Sequence, residues 1–395
     1  MRLRRLPPVY SPLRLKALFS GAQALAGMGE GKETVLGWIS STFQPRSSIL
    51  TNSGTTAITL AVRAAQQIRR GPVALPAYCC YDLATAVDGA GVDVVLYDLD
   101  PLTLGPDWES YQRALGRGAN AVVVAHLYGH PVDLRQAHAL ANQSGAILIE
   151  DAAQGIGARF DNRPVGSFGS MAILSFGRGK GLTGGGGGAL LVHSDVLIGP
   201  VSEAGAIIGN QDAADLMLLG KTAVQWALAR PSLYALPAAL PVLGLGETIY
   251  RRPWKVATMS RSSMAILSQG IADIETEANR RRLNAARLAS AVAIGQSARL
   301  YKRVPSASSG DLRFPVHAPS GRLREWRSEE ASWLGIAPGY PRSLADLEGF
   351  GNKIRNREMS FSGARELSER LCTLPTHGML REGDLKALEH WLQTR

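Results

Sequence analysis

Three cysteines in 395 residues, Cys79, Cys80 and Cys372, are too few for a disulfide framework, and the adjacent pair is poorly placed to bridge. That scarcity points to a reducing, cytoplasmic setting. Charged residues are sparse as well, at 19% of the chain, yet no apolar run reaches the about 20 residues that a spanning helix needs. The nearest approach, residues 216–245, is interrupted by Lys221, Arg230, Pro231, Pro237 and Pro241. Its first part places Leu216, Leu219, Ala223 and Trp226 at helical intervals. It reads as an amphipathic helix laid on its own protein, with peripheral contact with a membrane as the alternative. The basic opening MRLRRLPPVY is followed by no long apolar stretch and no small-residue cleavage site, so secretion is not expected. No internal repeat is evident.

What is abundant is glycine, with 43 residues, and positive charge, with 43 Lys and Arg against 33 Asp and Glu for a net charge of +10. The charge favours an anionic partner: nucleic acid, a membrane surface or a phosphorylated small molecule. No nucleic-acid reading motif accompanies it, and no basic stripe carries stacking aromatics. The basic runs 251–255, 280–282 and 322–327 read as solvated faces. The length suggests roughly two domains.

Short apolar runs at 73–75, 92–97, 121–125, 146–149, 172–176 and 189–192 alternate with helical patterns at 55–67, 81–89, 107–115 and 133–142. Several runs show little polar alternation, as strands buried on both faces do. The repetition predicts an α/β fold with a mainly parallel sheet and right-handed crossovers. After residue 200 the character changes. A Pro-punctuated segment precedes one long helical pattern that starts with Met264, Leu267, Ile271 and Ile274 and continues through the charged run 275–287. A strand at 312–316 and a closing helix at 384–393 complete a smaller α/β domain, with loops at 306–310 and 338–342. The expected division is an arm at 1–30, a large domain at 31–200, an insertion at 201–258 and a small domain at 259–395.

Four segments put polar residues at predicted carboxyl ends of strands, where open α/β sheets bind ligands. Thr51-Asn52-Ser53-Gly54-Thr55-Thr56 runs into a helix, a start whose free amides suit an anion, although an ordinary Ser cap fits it as well. Glu150-Asp151-Ala152-Ala153-Gln154 follows a buried strand, and a carboxylate there can hold a proton on a ring nitrogen or cap a helix. Lys180 sits in a Gly-rich turn that is neither a Walker A loop nor a Rossmann fingerprint, because Leu174 and Leu182 stand where those motifs need glycine. Such a lysine suits Schiff-base chemistry, though a solvated loop is the plain alternative. Tyr78-Cys79-Cys80-Tyr81 turns from strand to helix and offers a flat or polarizable side chain, or simply core aromatics.

Taken in order, His126-Leu127-Tyr128-Gly129, Glu150 to Gln154, Gly166-Ser167, Ser175-Phe176 through Lys180, and the late Leu374-Pro375-Thr376-His377 resemble the DegT/StrS family of pyridoxal-phosphate sugar aminotransferases. The likeness covers roughly residues 45–195 and is weaker at 260–290 and 370–393. It implies the fold-type I architecture, a large domain with a seven-stranded-type sheet between helices and a smaller C-terminal α/β domain. It implies pyridoxal 5′-phosphate bound covalently by Lys180, Asp151 on the ring nitrogen and Gln154 near the ring's 3-oxygen. Ser175, Gly54 and Thr55 would then take the phosphate. Cys80 falls where the family often has a stacking aromatic, which makes Tyr81 the neighbouring candidate. His126 matches a recurrent position, structural or catalytic.

Family members that dehydrate sugars have histidine in place of the lysine, so Lys180 favours transamination from an amino acid such as glutamate to a keto-sugar. The alternatives are another cyclic ketone, dehydration, or a degenerate member without catalysis. The family's Gly-x-Asn-x-Arg-Met segment, which reaches the partner's site in a homodimer, is not found here. Arg251 or Arg252 is the substitute candidate for a substrate or neighbouring-site cation, against a solvated basic loop. No metal is expected.

Overall fold

Strands rich in Val, Ile, Leu and Ala bury both faces only when helices cover the sheet on both sides. Seven strands pair into one sheet: β1 (Ser47–Thr51), β2 (Val73–Pro76), β3 (Val94–Tyr97), β4 (Ala121–Ala125), β5 (Ile147–Asp151), β6 (Met171–Ser175) and β7 (Gly188–Val192), in the spatial order β1-β7-β6-β5-β4-β2-β3. This is a computed structural model, and it describes residues 4–29, 31–209, 215–239, 249–251, 256–295 and 298–395. Alternate strand residues feed two cores, as the two-residue side-chain period dictates. Val73 and Leu75 pack with Leu60 and Leu83 on one face, while Ala74 and Val95 pack with Ile39 and Tyr111 on the other.

The helices around the sheet are α1 (Leu15–Leu25), α2 (Lys32–Phe43), α3 (Gly54–Ile68), α4 (Asp82–Ala90), α5 (Trp108–Gly116), α6 (Leu134–Gln143) and α7 (Ile198–Gly205). Strands β2 to β6 pair in parallel, whereas β7 runs antiparallel to both β6 and β1. The antiparallel margin has a simple cause. The Gly-rich turn from β6 to β7 contains no crossover helix, so the chain must return beside the strand it left. β1 escapes the sequence pattern because it is short, begins with two serines and is only half-buried.

Beyond the sheet lie α8 (Asp215–Leu228), α9 (Ala235–Ala238), α10 (Arg261–Ser268) and α11 (Ile274–Gly295). The single helix expected from Met264 onward is two helices, because the chain breaks at Gln269-Gly270 and passes through a tight turn at Ile271–Asp273. On α8, Leu219, Ala223 and Trp226 pack against Leu13, Leu18 and Ile266, which joins the helix to its own arm and to α10. Leu216, expected in that stripe, is 73% exposed instead. No helix among the described residues is long and apolar enough to cross a membrane.

A second sheet, β8 (Arg299–Leu300), β9 (Phe314–His317), β10 (Ala337–Pro338) and β11 (Leu371–Leu374), is antiparallel in the order β8-β9-β11-β10. It buries Val316 and Leu374 against Leu288 of α11 and Trp391 of the closing helix Glu382–Thr394. The loop expected at 306–310 contributes Ala307–Ser308, which pairs with Arg159–Phe160.

Gly188 opens β7 against the start of α3, where a Cβ would lie 2.5 Å from the Ser53 carbonyl carbon and 2.6 Å from the Gly54 nitrogen. Gly37, inside α2, has nothing within 4 Å of such an atom. Gly188→Ala is therefore expected to destabilise the fold by about 1–3 kcal/mol. Gly37→Ala is expected to be neutral or stabilising by up to about 1 kcal/mol. Thermal unfolding followed by circular dichroism separates the two.

Candidate active site

Strand β5 ends in two adjacent acids, and the strand's alternation sends them to opposite sides. Glu150 turns into the protein and is fully buried. Its carboxylate accepts the backbone N–H of Gly166 at 2.7 Å and those of Phe168 and Gly169 at 2.5 Å each. His126, which follows β4, adds a fourth contact from Nε2 at 3.3 Å. The His126 Nδ1 accepts the Val132 N–H at 3.3 Å, so the ring proton resides on Nε2 and is donated to Glu150. Burial pushes the Glu150 carboxyl up, but the His126 bond and the backbone amides outweigh it and hold the group below its ordinary range.

Asp151 faces the other way, into a cavity of about 260 Å³. Among the described residues it accepts a single hydrogen bond, from the Ala153 N–H at 3.1 Å. Burial raises its carboxyl above the ordinary value against the opposing charge of Lys180. Lys180 lines the same cavity from the turn between β6 and β7. That turn is held by the N-terminal arm, since the Gly179 N–H donates to Ser11 Oγ at 2.8 Å. Gly179 has a φ of +77°, and a Cβ there would lie 2.9 Å from Val9 Cγ2. The position requires glycine on both counts.

The third wall is the start of α3. Ser53 caps the helix by accepting the Thr56 N–H at 3.1 Å, which leaves the amides of Gly54 and Thr55, with no intrahelical acceptor, at the cavity edge. Ser175, at the end of β6, lies beside them, and a Cβ on Gly54 would come within 2.9 Å of its Cβ. These are anion-ready donors at a helix start.

Of the residues singled out from the sequence, Gly54, Thr55, Cys80, His126, Asp151, Gln154, Ser175 and Lys180 line this one cavity. Burial pushes the Cys80 thiol well up, so it is a neutral, polarizable wall. Tyr81 is not part of the lining. Its hydroxyl is taken by the Arg342 backbone, accepting the N–H at 2.9 Å and donating to the carbonyl at 3.1 Å. The Arg251 side chain does not line the cavity either; its backbone carbonyl accepts a bond from Thr85 at 2.9 Å. Arg252 lies outside the described residues.

Tyr340, in the segment read only as a loop, is the aromatic that does reach the cavity. Gln154 Nε2 donates to its hydroxyl at 2.8 Å, while Gln154 Oε1 accepts the Tyr128 N–H at 2.6 Å. Tyr340's own N–H donates to the Tyr78 hydroxyl at 2.8 Å. Tyr340 follows β10 of the second sheet, far along the chain from β4, β5 and β6, so no local signal marks it and the packing of the second sheet on the first brings it here.

Glu150 generates a pH-dependent prediction. Its carboxyl is depressed in the fold, so its contribution is present above the unfolded value of about 4.3 and is lost as pH falls through the lower folded value. Glu150→Ala is expected to cost about 3–5 kcal/mol near neutrality. Glu150→Gln is expected to be destabilised there too, because an amide nitrogen must face N–H donors. Denaturant titrations from about pH 7 to 3 are expected to show the wild type and Glu150→Gln converging in acid.

Residues 39–203 match the model of the DegT/DnrJ/EryC1/StrS aminotransferase family. An L-glutamine:2-deoxy-scyllo-inosose aminotransferase from Streptomyces kanamyceticus is 33% identical over 186 residues, 46% of this chain and 44% of that protein. A UDP-N-acetyl-3-dehydro-alpha-D-glucosamine 3-aminotransferase from Acidithiobacillus ferrooxidans is 35% identical over 143 residues, 36% of this chain and 39% of that protein. The matched stretch thus spans less than half the length of these relatives. The solved sugar aminotransferase CalS13 from Micromonospora echinospora superposes with a TM-score of 0.76 at 18% identity, over 98% of this chain and 99% of that one. The chain thus carries a stretch similar to the DegT/DnrJ/EryC1/StrS aminotransferase family at residues 39–203, and over nearly its whole length it has the fold of a solved sugar aminotransferase.

Proposed function

We propose that the chain is a pyridoxal-phosphate-dependent aminotransferase that moves an amino group from an amino acid, such as glutamate, to a nucleotide-linked keto-sugar in amino-sugar biosynthesis. The observation that carries this is the opposition of Asp151 and Lys180 across one small cavity whose edge is the amide-bearing start of α3. The residues fit the cofactor. Asp151 is a buried acid with a raised carboxyl and a single amide donor, and a protonated ring nitrogen would satisfy it. Gly54, Thr55 and Ser175 offer donors to a phosphate, and the missing Cβ of Gly54 is what lets that edge close on Ser175.

When bound, the cofactor supplies an electron sink for the carbon that bears the amine. The protein's part is positional and protonic. With the cofactor bound, the Asp151 carboxylate would hold a proton on the ring nitrogen. Lys180 Nζ would hold the cofactor's aldehyde end and would move a proton at the substrate carbon that bears the amine. Gln154, clamped between Tyr128 and Tyr340, fixes the aromatic wall, and Cys80 and His126 bound the space beside it. Both His126 nitrogens are engaged by the protein, which makes it a positioning residue. The family likeness supports a homodimer and a cytoplasmic setting.

A second reading is favoured by the first-named relative, whose name specifies L-glutamine and a cyclitol ketone. On it, the acceptor here is a cyclic ketone without a nucleotide. The test is to load the purified protein with pyridoxal phosphate and follow its visible absorbance. The expected result is bleaching by glutamate or glutamine and recovery on adding a nucleotide keto-sugar or 2-deoxy-scyllo-inosose, whichever is the acceptor. Lys180→Ala is expected to abolish the band and to lower turnover by at least about 10²–10⁴-fold. Release of water from the sugar without amine transfer overturns the reading in favour of dehydration, and a protein that never colours overturns it in favour of a degenerate member.

A further inference from the structure

Two arginines, Arg281 fully buried and Arg313 half-buried with part of its guanidinium enclosed, meet opposite fates. Arg281 of α11 is 2% exposed, and its guanidinium donates to the carbonyls of Gly310 at 2.9 Å and Ile156 at 3.1 Å. Arg313, just before β9, has no such partners. Its Nε and one terminal nitrogen are buried and make no hydrogen bond. The Tyr128 ring lies 6.0 Å from its guanidinium carbon. A buried cation without a counter-charge is costly, and a fold keeps one where a ligand will complete it.

Arg313 lines a second cavity, of about 570 Å³, next to the first. Arg178 lines both, and Gly179 of the lysine turn lines this one. The walls are Val9 and Tyr10 of the arm, Trp226 of α8, and Tyr234 just before α9. Lys221 adds a third cation, and no described residue in the lining is acidic. Burial raises the Tyr234 hydroxyl, and the positive charges of Arg178, Arg5 and Arg313 oppose that rise, so these guanidinium groups converge on one aromatic wall. Burial lowers Arg313 itself, and no carboxylate counters it.

We propose that this second cavity is a binding site for a substrate's anionic group, a carboxylate or phosphate held by Arg313, carried on an apolar or aromatic body that lies against Tyr10, Trp226 and Tyr234. The inference rests on the aminotransferase reading only for what happens next door at Lys180; the binding itself does not depend on it. The site would select substrates that are longer and more apolar than a bare sugar. It also gives the arm and the 215–239 segment a role in recognition.

The test is calorimetric titration of the cofactor-loaded protein with phenyl phosphate, 3-phenylpropionate and inorganic phosphate. At least one phenyl anion is expected to bind at least about tenfold more tightly than inorganic phosphate. Arg313→Met is expected to weaken that binding at least about tenfold while melting no lower than the wild type, since it removes an unpaired buried cation. Tyr234→Ala, which leaves Arg313 in place, is expected to weaken the phenyl anions and spare inorganic phosphate. Preference for 3-phenylpropionate identifies a carboxylate source, and preference for phenyl phosphate a phosphorylated one. Unchanged binding in Arg313→Met, or inorganic phosphate binding as well as the phenyl anions, overturns the proposal. Lys180→Ala keeps the two readings apart: it is expected to lose turnover yet bind the probe within about twofold of wild type.

Discussion

A single buried carboxylate organises the region on which everything else depends. Glu150 draws three backbone amides from the 166–169 turn and the His126 ring from the end of β4 onto the end of its own strand. A buried charge tolerates no vacancy among its donors, so the geometry of three segments is fixed at once. Because the turn it holds leads directly into β6, the placement of Ser175 and of the lysine turn inherits that constraint. Asp151 beside it, the acid proposed for the chemistry, has the opposite environment. One acid is saturated with donors; its neighbour has a single amide donor and faces a cavity.

Much of this was legible in the sequence, for physical reasons that can be named. Apolar runs without alternation mark strands covered on both sides, and β2 to β6 read clearly on that ground. The polar residues at their carboxyl ends, Asp151 and Ser175 among them, stand where an open sheet places its ligands. Other features depend on packing that no local pattern records. The antiparallel β7 follows from the shortness of a turn, and β1 is polar enough to pass as loop. Gly270 splits a helix whose apolar stripe runs on through the break. Tyr81, the aromatic that the sequence offered, is diverted by the Arg342 backbone, and Tyr340, from a segment read only as a loop, takes the cavity wall.

The excess positive charge also resolves into parts with different work. Some of the positive charge lies on exposed pairs of small energetic weight, such as Arg117 with Glu358 and Arg355 with Asp93. Arg281 is pushed down to about 10 by burial, yet it is held by carbonyls and serves as a rivet between α11 and the loops around the site. Arg313 is half-buried and keeps two enclosed guanidinium nitrogens without a hydrogen-bond partner among the described residues. A net charge read from composition does not distinguish these cases; the inventory of hydrogen bonds does.

The arm that touches the lysine turn has a consequence for the order of assembly. Ser11 and Val9 contact Gly179, while the same stretch is fastened by Leu6 to Trp333 and by Pro7 to His377. These contacts join residues separated by most of the chain, which makes their loops slow to close. On the ribosome, the arm emerges long before its fasteners. The sheet and the Glu150 hub can form early from nearer partners, but the lysine turn receives its last support only when the small sheet has docked. Support for the turn that carries Lys180 is thus a late step of folding, set by topology alone.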